Sequence, residues 1–351
     1  MFLGIEIGGT KLQLGLGPGD GTIVALERVR VEPAAGATGI RHEIVQWIPP
    51  LLSKAGVRRE DIRVVGIGFG GPVCSDSGTV AKSHQIVGWD NFPLAEWCRR
   101  ELGWPAVVHN DADTAGLAEA CFGAGRGYSP VFYITIGSGI GGGLIIDQQI
   151  YRGAGAGAAE IGHLTLPPPG ALLSPNIVAD EPPLPRPTVE SICSGWSMAA
   201  RMQRTIAAAL RQHPHEQDSA PLATARPDAQ QLVELAGGKL EQVTTEVLAL
   251  AARSGNNLAR QNLTTTHRVL GWAVAQVIAL LCPRRIVIGG GVSLMGEDLL
   301  FRPLRDEVSR QVFRPFADCY DIVPAVLGES VVVQGALRLA KLLNSLGPRN
   351  T

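Results

Sequence analysis

The chain has 351 residues, a length suited to two domains rather than one. Apolar residues make up 45% of it and charged residues 18%, with a formal net charge of −1. That balance excludes wholesale disorder and leaves no basic footprint for nucleic acid. Six cysteines without a CxxC pair offer no common zinc or iron–sulfur spacing, and no apolar run reaches a membrane span. With no basic-then-apolar leader ahead of the first strand, the expectation is a soluble cytoplasmic protein with reduced thiols.

In chain order, "FLGIEIGG" at 2–9 reads as a buried strand ending in glycines. "KLQLGLG" at 11–17 and "GTIVALERVRV" at 21–31 alternate apolar and polar residues, and glycine turns separate the three into an antiparallel meander. Helical spacing runs over 39–55, where Pro49 and Pro50 are expected to kink or split the helix. "IRVVGIGFGG" at 62–71 is continuously apolar, the pattern of a strand covered on both faces. "PLAEWCRREL" follows as a helix and "PAVVHND" as another strand. A second unit opens with the helix "ADTAGLAEACFG", then strand, glycine loop and strand in "VFYITIGSGIGGGLIID", and later "RRIVIGGGVS". The order of elements echoes the first unit, a repeat of architecture rather than of sequence. Residues 192–212 and 228–281 read as mainly helical, 164–187 as a proline-rich loop or lid, and the last helix as packing back on the first unit.

Three strand-to-glycine junctions carry the chemical signal. In "EIGGTK" at 6–11, Gly8 and Gly9 let backbone N–H groups approach an anion, and Thr10 and Lys11 add a hydroxyl and a cation. A plain hairpin turn with a surface lysine fits that motif equally well. "ITIGSGIGGG" repeats the device around Gly137, Ser138 and Gly139, and "IVIGGGVS" again at Gly290 and Gly291. Ligands of α/β sheets collect at strand carboxyl ends, so three such junctions weigh more than one. Neither a P-loop nor a strand-coupled GxGxxG motif stands where it should.

Asp111 follows a strand and precedes a helix, so it is either a helix cap or a general base for a hydroxyl. Asp113 reads as the better cap, which would free Asp111. Asn110 beside it can both donate to and accept from a hydroxyl. Glu160 and His163 in "AAEIGH", and Glu190 beyond the prolines, are groups that suit adjacent sugar hydroxyls.

Together these segments resemble the ROK family of repressors and sugar kinases. "EIGGTK" is similar to its DxGGTK motif, "GIGFGGPV" to its GxGxPGPV, and "GWDNFPL" to its GWxxxPL. "HNDADTAGLAE" is similar to NDANAAALAE, "ITIGSGIGGGLI" to LGTGIGGGII, "AAEIGH" to GEIGH, and "VIGGGVS" to the adenine-side turn. The resemblance implies an α/β, two-lobed actin-like ATPase (ribonuclease H-like) fold. Each lobe would be a mixed sheet flanked by helices, with a cleft between them. Residues 1–112, with a returning helix at about 331–347, would form one lobe and 113–330 the other.

The same resemblance implies an ATP-dependent hexose kinase of glucokinase type, acting at the 6-hydroxyl, with ATP and Mg2+ and a homodimeric assembly. Asp111 would be the base. Gly71, Asn110, Asp111, Glu160, His163 and Glu190 would hold the sugar. Gly8, Gly9, Thr10, Lys11, Gly137, Ser138, Gly139, Gly290 and Gly291 would hold the nucleotide, with Lys11 open between phosphate contact and structure. Two departures stand out. Glu6 replaces the family's aspartate and would reach magnesium through water. The cysteine-bearing zinc segment is replaced by prolines, so structural zinc is not expected. A sugar-binding protein without turnover is the alternative. A repressor would need a DNA-binding module ahead of a first strand that starts at Phe2. No nucleic-acid or membrane partner is expected.

Overall fold

The N-terminal meander forms where the alternation places it. Strands β1 (Phe2–Ile7), β2 (Lys11–Gly17) and β3 (Ala25–Arg30) pair antiparallel. The computed structural model describes residues 1–83, 85–154, 157–167, 186–211 and 225–346. In it β1 also pairs parallel with β4 (Val65–Phe69). A short hairpin, β5 (Val73–Cys74) with β6 (Thr79–Val80), precedes β7 (Ala106–Asn110), which lies parallel to β4. The sheet order is β3-β2-β1-β4-β7.

A second sheet repeats that plan. Strands β8 (Val131–Ile136), β9 (Ile140–Ile146) and β10 (Gln149–Ile150) are antiparallel neighbours. Then β11 (Arg285–Gly289) joins parallel to β8, and β12 (Ile322–Pro324) parallel to β11. The order is β10-β9-β8-β11-β12, so each sheet is a three-stranded meander extended by two parallel strands. The architectural repeat read from the sequence is present at the level of strand order.

Helices cover these sheets through their apolar stripes. Helix α1 (Gly36–Ala55) buries Ile40, Ile44 and Ile48 against the first sheet. It is one unbroken helix through Pro49 and Pro50, which corrects the expected split. Packing of Ile44, Ile48 and Leu51, each under 3% exposed, outweighs the roughly 3 kcal/mol a proline costs a helix interior. Helix α2 (Leu94–Trp97) leads into β7, and α3 (Asp111–Phe122) leaves it. Helices α4 (Val189–Cys193), α5 (Gly195–Ala209), α6 (Arg226–Leu235), α7 (Thr245–Arg253) and α8 (Asn257–Leu281) follow. Much of this group packs on the second sheet through Met198, Met202, Leu232, Leu248, Val269 and Ile278. Helix α9 (Arg302–Gln311) precedes α10 (Val331–Ser345), which packs on β1, β4 and α3. Between the two sheets Leu117 of α3, Tyr133, Val287 and Leu339 of α10 form a shared buried cluster.

The proline-rich reading of 164–187 falls mostly on 168–185, outside the described residues. Among the described residues no helix is long and apolar enough to cross a membrane.

Candidate active site at the strand ends

Register brings the first group of candidates together. Ile7, Phe69 and Asn110 lie abreast on the parallel strands β1, β4 and β7. The next residues, Gly8, Gly70 and Asp111, therefore leave the sheet at one level. Gly8 N–H donates to Lys11 O at 2.9 Å and closes the turn that carries Gly9 and Thr10. Gly70 N–H donates to Ile7 O at 2.8 Å, which ties the second glycine turn to the first. Gly71 follows in a left-handed φ of +156°. Thr10 is exposed.

Asn110, not Asp113, caps α3. Its Oδ1 accepts from Ala112 N at 2.8 Å and Asp113 N at 3.4 Å. This corrects the expectation from sequence, which placed the cap three residues late. An asparagine at the end of a strand caps as well as an aspartate, and the strand register decides where the helix begins. The cap also spends the acceptor once assigned to a sugar hydroxyl. The Asn110 amide gives one N–H to Gly71 O at 3.1 Å and keeps the other.

Asp111 is half-buried. Its Oδ1 accepts from Ala112 N at 2.8 Å, while Oδ2 faces Gly70 and takes no hydrogen bond from the described residues. Burial pushes its carboxyl up to about 7, with Glu6 and then Glu160 adding negative charge nearby against the Ala112 N–H. Asp113 is only 5% exposed, and its Oδ1 has no hydrogen-bond partner among the described residues. Burial, then Glu160 and Asp111, raise it to about 7 as well. Several acids thus compete for negative charge around the start of α3.

Glu6 sits in a fixed network. Its Oε1 lies 3.1 Å from Lys11 Nζ and its Oε2 accepts from Gln13 Nε2. Gln13 also donates to Glu329 O at 2.9 Å, and Arg28 Nε donates to Gln13 Oε1 at 2.9 Å. Burial raises the Glu6 carboxyl and Lys11 opposes that shift most. Lys11 is thereby engaged as a partner to Glu6. Both Glu6 oxygens are taken, and no group of three His, Cys, Asp or Glu among the described residues could cage a metal. The acids gathered here suit a cation, and a Mg2+ brought in on nucleotide phosphates would meet Glu6 through its water shell rather than directly.

The second sheet supplies the facing elements. In β9, Gly141, Gly142 and Gly143 let two neighbours in. A Cβ at Gly141 would lie 2.9 Å from Ala112 Cβ, and one at Gly143 would lie 3.1 Å from Ala112 O. A Cβ at Gly142 would collide with Ala159 O. The glycine run thus seats the start of α3 and the segment leading to Glu160. Ala159 itself adopts a φ of +64°, unusual for a residue with a side chain. Glu160 and His163 follow, both open to solvent. Partial burial raises Glu160, with His163 opposing and Glu190 adding to the rise. Glu190 is half-buried in α4, and its Oε2 accepts from Ile140 N at 2.7 Å beside Gly139.

Gly137, Ser138 and Gly139 form a turn closed by Gly137 N–H to Gly139 O at 2.9 Å. Gly195 N–H at the start of α5 donates to Gly137 O at 2.7 Å, and Ser194 caps that helix. Ser138 is exposed. Gly290 holds a φ of +84°, and a Cβ there would lie 2.5 Å from Ile136 O. Gly290 therefore presses β11's exit against β8's, as only glycine can. Gly137, Ser138 and Gly291 line a groove of about 480 Å³ whose other walls include Trp196, Gln203, Thr244 and Glu246. Trp196 is 67% exposed. Sequence reasoning missed these walls and the Gln13–Glu329–Arg28 network. The one available signal was "SGWS" at 194–197, a serine cap with an exposed tryptophan in the first turn.

Two repeated sheets, with glycine turns and acids gathered at their strand ends, define the two-lobed actin-like ATPase fold. The chain belongs to the ROK family, whose model matches residues 2–342. It is 31% identical over 346 residues to the glucokinase of Streptomyces coelicolor, covering 97% of this chain and 98% of that one. It is 27% identical over 340 residues to the glucokinase of Thermotoga maritima, covering 97% of each. A ROK family glucokinase from Streptomyces griseus, solved in complex with glucose and AMPPNP, superposes with a TM-score of 0.74 at 29% identity. That match covers 97% of this chain and 99% of the other.

Proposed function

We propose that this protein is an ATP-dependent hexose kinase that phosphorylates glucose or a close analogue at the 6-hydroxyl. The observation that carries the reading is the unbonded Oδ2 of Asp111, set where β1, β4 and β7 end and flanked by Glu6 and Glu160. Relatives named glucokinases support glucose as the first sugar to test.

In this reading Asp111 Oδ2 takes the proton of the sugar hydroxyl as its oxygen bonds to the γ-phosphorus. The bond from the γ-phosphorus to the β,γ-bridging oxygen breaks, ADP leaves, and the protonated Asp111 returns its proton to water. Glu160, His163, Glu190, Gly71 and the remaining Asn110 N–H orient the sugar. The turns at Gly8–Thr10 and Gly137–Gly139 offer hydroxyls and backbone donors to the phosphates, and the Trp196 groove with Gly290–Gly291 takes the adenosine. Magnesium, when bound with ATP, neutralises phosphate charge. The chemistry asks for position more than reactivity, and closure of lobes 1–112 and 113–330, with α10 returning to the first, would exclude water as a rival acceptor. A cytoplasmic homodimer is the expected form, to be measured by light scattering.

The test is sugar-dependent ADP release across glucose, mannose, fructose and N-acetylglucosamine, with Asp111→Asn as control. Release with one of them, lost in the variant, supports the proposal. Sugar binding without release in either protein would leave a binder without turnover, the reading that the fully engaged Glu6 favours.

A further inference from the structure

A second groove of about 480 Å³ lies away from the strand-end site, where the β2–β3 turn meets α3 and α10. Its walls include Asp20, Phe122, Arg126, Gln334, Arg338 and Lys341. Three cations against one carboxylate leave the lining at +2. Among the described residues, none of these three cations makes an ion pair. Arg338 reaches Gln148 Oε1 at 3.4 Å with one nitrogen, but its Nε is shielded from solvent and unpartnered. Gln334 Oε1 is likewise shielded and unpartnered. The groove thus holds two positive charges beyond its one carboxylate, while the Gln334 oxygen, an acceptor, gives an anion nothing.

We infer that this groove binds a small phosphate monoester. A dianion matches the net +2, and a guanidinium pair presents forked donors that suit phosphate oxygens. The apolar face of Phe122 suits the ester's carbon portion. The carbonyls ending α3 oppose an anion with about half a charge, which three full side-chain charges outweigh.

The groove is also wired to the strand-end site by two rigid elements. Helix α3 runs from Asp111 to Phe122, and β2 runs from Lys11 to Gly17 beside the turn that holds Asp20. At that turn a Cβ on Gly21 would lie 3.0 Å from Phe122 Cγ, so turn and helix end are in contact. An anion bridging Arg126 and Arg338 would join the turn after α3 to α10, and whether that is felt at the Asp111 end of α3 is the second thing tested below.

The experiment is calorimetric titration of the full chain, without nucleotide, using glycerol 3-phosphate, inorganic phosphate and glycerol. One equivalent of glycerol 3-phosphate should bind, at least tenfold more weakly in Arg126→Ala and in Lys341→Gln, and unchanged in Ser138→Ala. Arg338→Gln should behave alike, with a melting curve to show that it folds. Absence of binding overturns the inference. So does affinity lost in Ser138→Ala but kept in Arg126→Ala, which would put the anion at the strand ends. Equal binding of inorganic phosphate overturns the ester assignment. A second readout rests on the activity proposed above: saturating glycerol 3-phosphate should change the sugar KM at least twofold in the parent protein and not in Arg126→Ala. An unchanged KM overturns the coupling while the titration still decides the site.

Discussion

Asn110 caps the helix that Asp111 opens: the Asn110 Oδ1 takes the Ala112 and Asp113 N–H groups, and the Asp111 Oδ2 has no partner among the described residues. The division of roles between adjacent residues leaves a carboxylate oxygen at the first turn of α3 open to act as the proposed base, without loosening the helix. Asp111 itself accepts only the Ala112 N–H, through Oδ1.

Replacing Asp111 with Asn should cut kcat by about 10²–10⁴-fold, the usual contribution of a positioned base. The fold should survive, since the cap belongs to Asn110. Steady-state kinetics with a melting curve decides this; activity within threefold of the parent would remove Asp111 from the mechanism.

Acidity gives a second, opposite effect. Folding raises the Asp111 carboxyl from 3.8 to about 7, and Asp113 likewise. The native state then binds these protons more tightly than the unfolded one, so stability declines as pH climbs from about 4 through about 7. Asp111→Asn and Asp113→Asn should each raise the melting temperature at pH 8 and change it little at pH 4. Turnover should follow the reverse course, rising through about pH 7 as Asp111 sheds its proton. Melting and rate profiles from pH 5 to 9 test both.

Gly290→Ala should destabilise the chain by about 1–3 kcal/mol through its left-handed backbone alone. Displacement of Ile136 O should add to that and raise the KM for ATP. Denaturant titration beside nucleotide binding measures the two effects.

Trp196→Ala removes an aromatic wall beside Ser138. About 1.4 kcal/mol of lost contact corresponds to a tenfold rise in the KM for ATP. If the ring serves only to wall the nucleotide groove, kcat should stay near its parent value.

Glu119 is fully buried and accepts from Ala124 N at 2.7 Å and from Val326 N and Leu327 N at 2.9 Å. Glu119→Ala would strand three donors, and a loss of about 3 kcal/mol is expected in denaturant unfolding.

Local pattern made the frame of this molecule readable. The buried run of β1, the alternation in β2 and β3, the apolar run of β4 and the glycine junctions each sit where the residues place them, because those signals depend on near neighbours. The Asp113 cap and the split of α1 misled for a shared reason. Register fixed the start of α3 from across the sheet, and the core under Ile44 and Ile48 held α1 through its prolines. The Glu6–Gln13–Glu329 network joins residues hundreds of positions apart, which no local spacing announces, and "SGWS" alone hinted at the Trp196 wall.

The single bond from Ile140 N–H to Glu190 is a strut between two duties. In the proposed reading, a sugar that tugs the Glu190 carboxylate also tugs the loop bearing Ser138. Selecting a sweeter or bulkier guest and steadying the donor's tail are therefore not independent dials. Engineers who retune one should expect the other to drift.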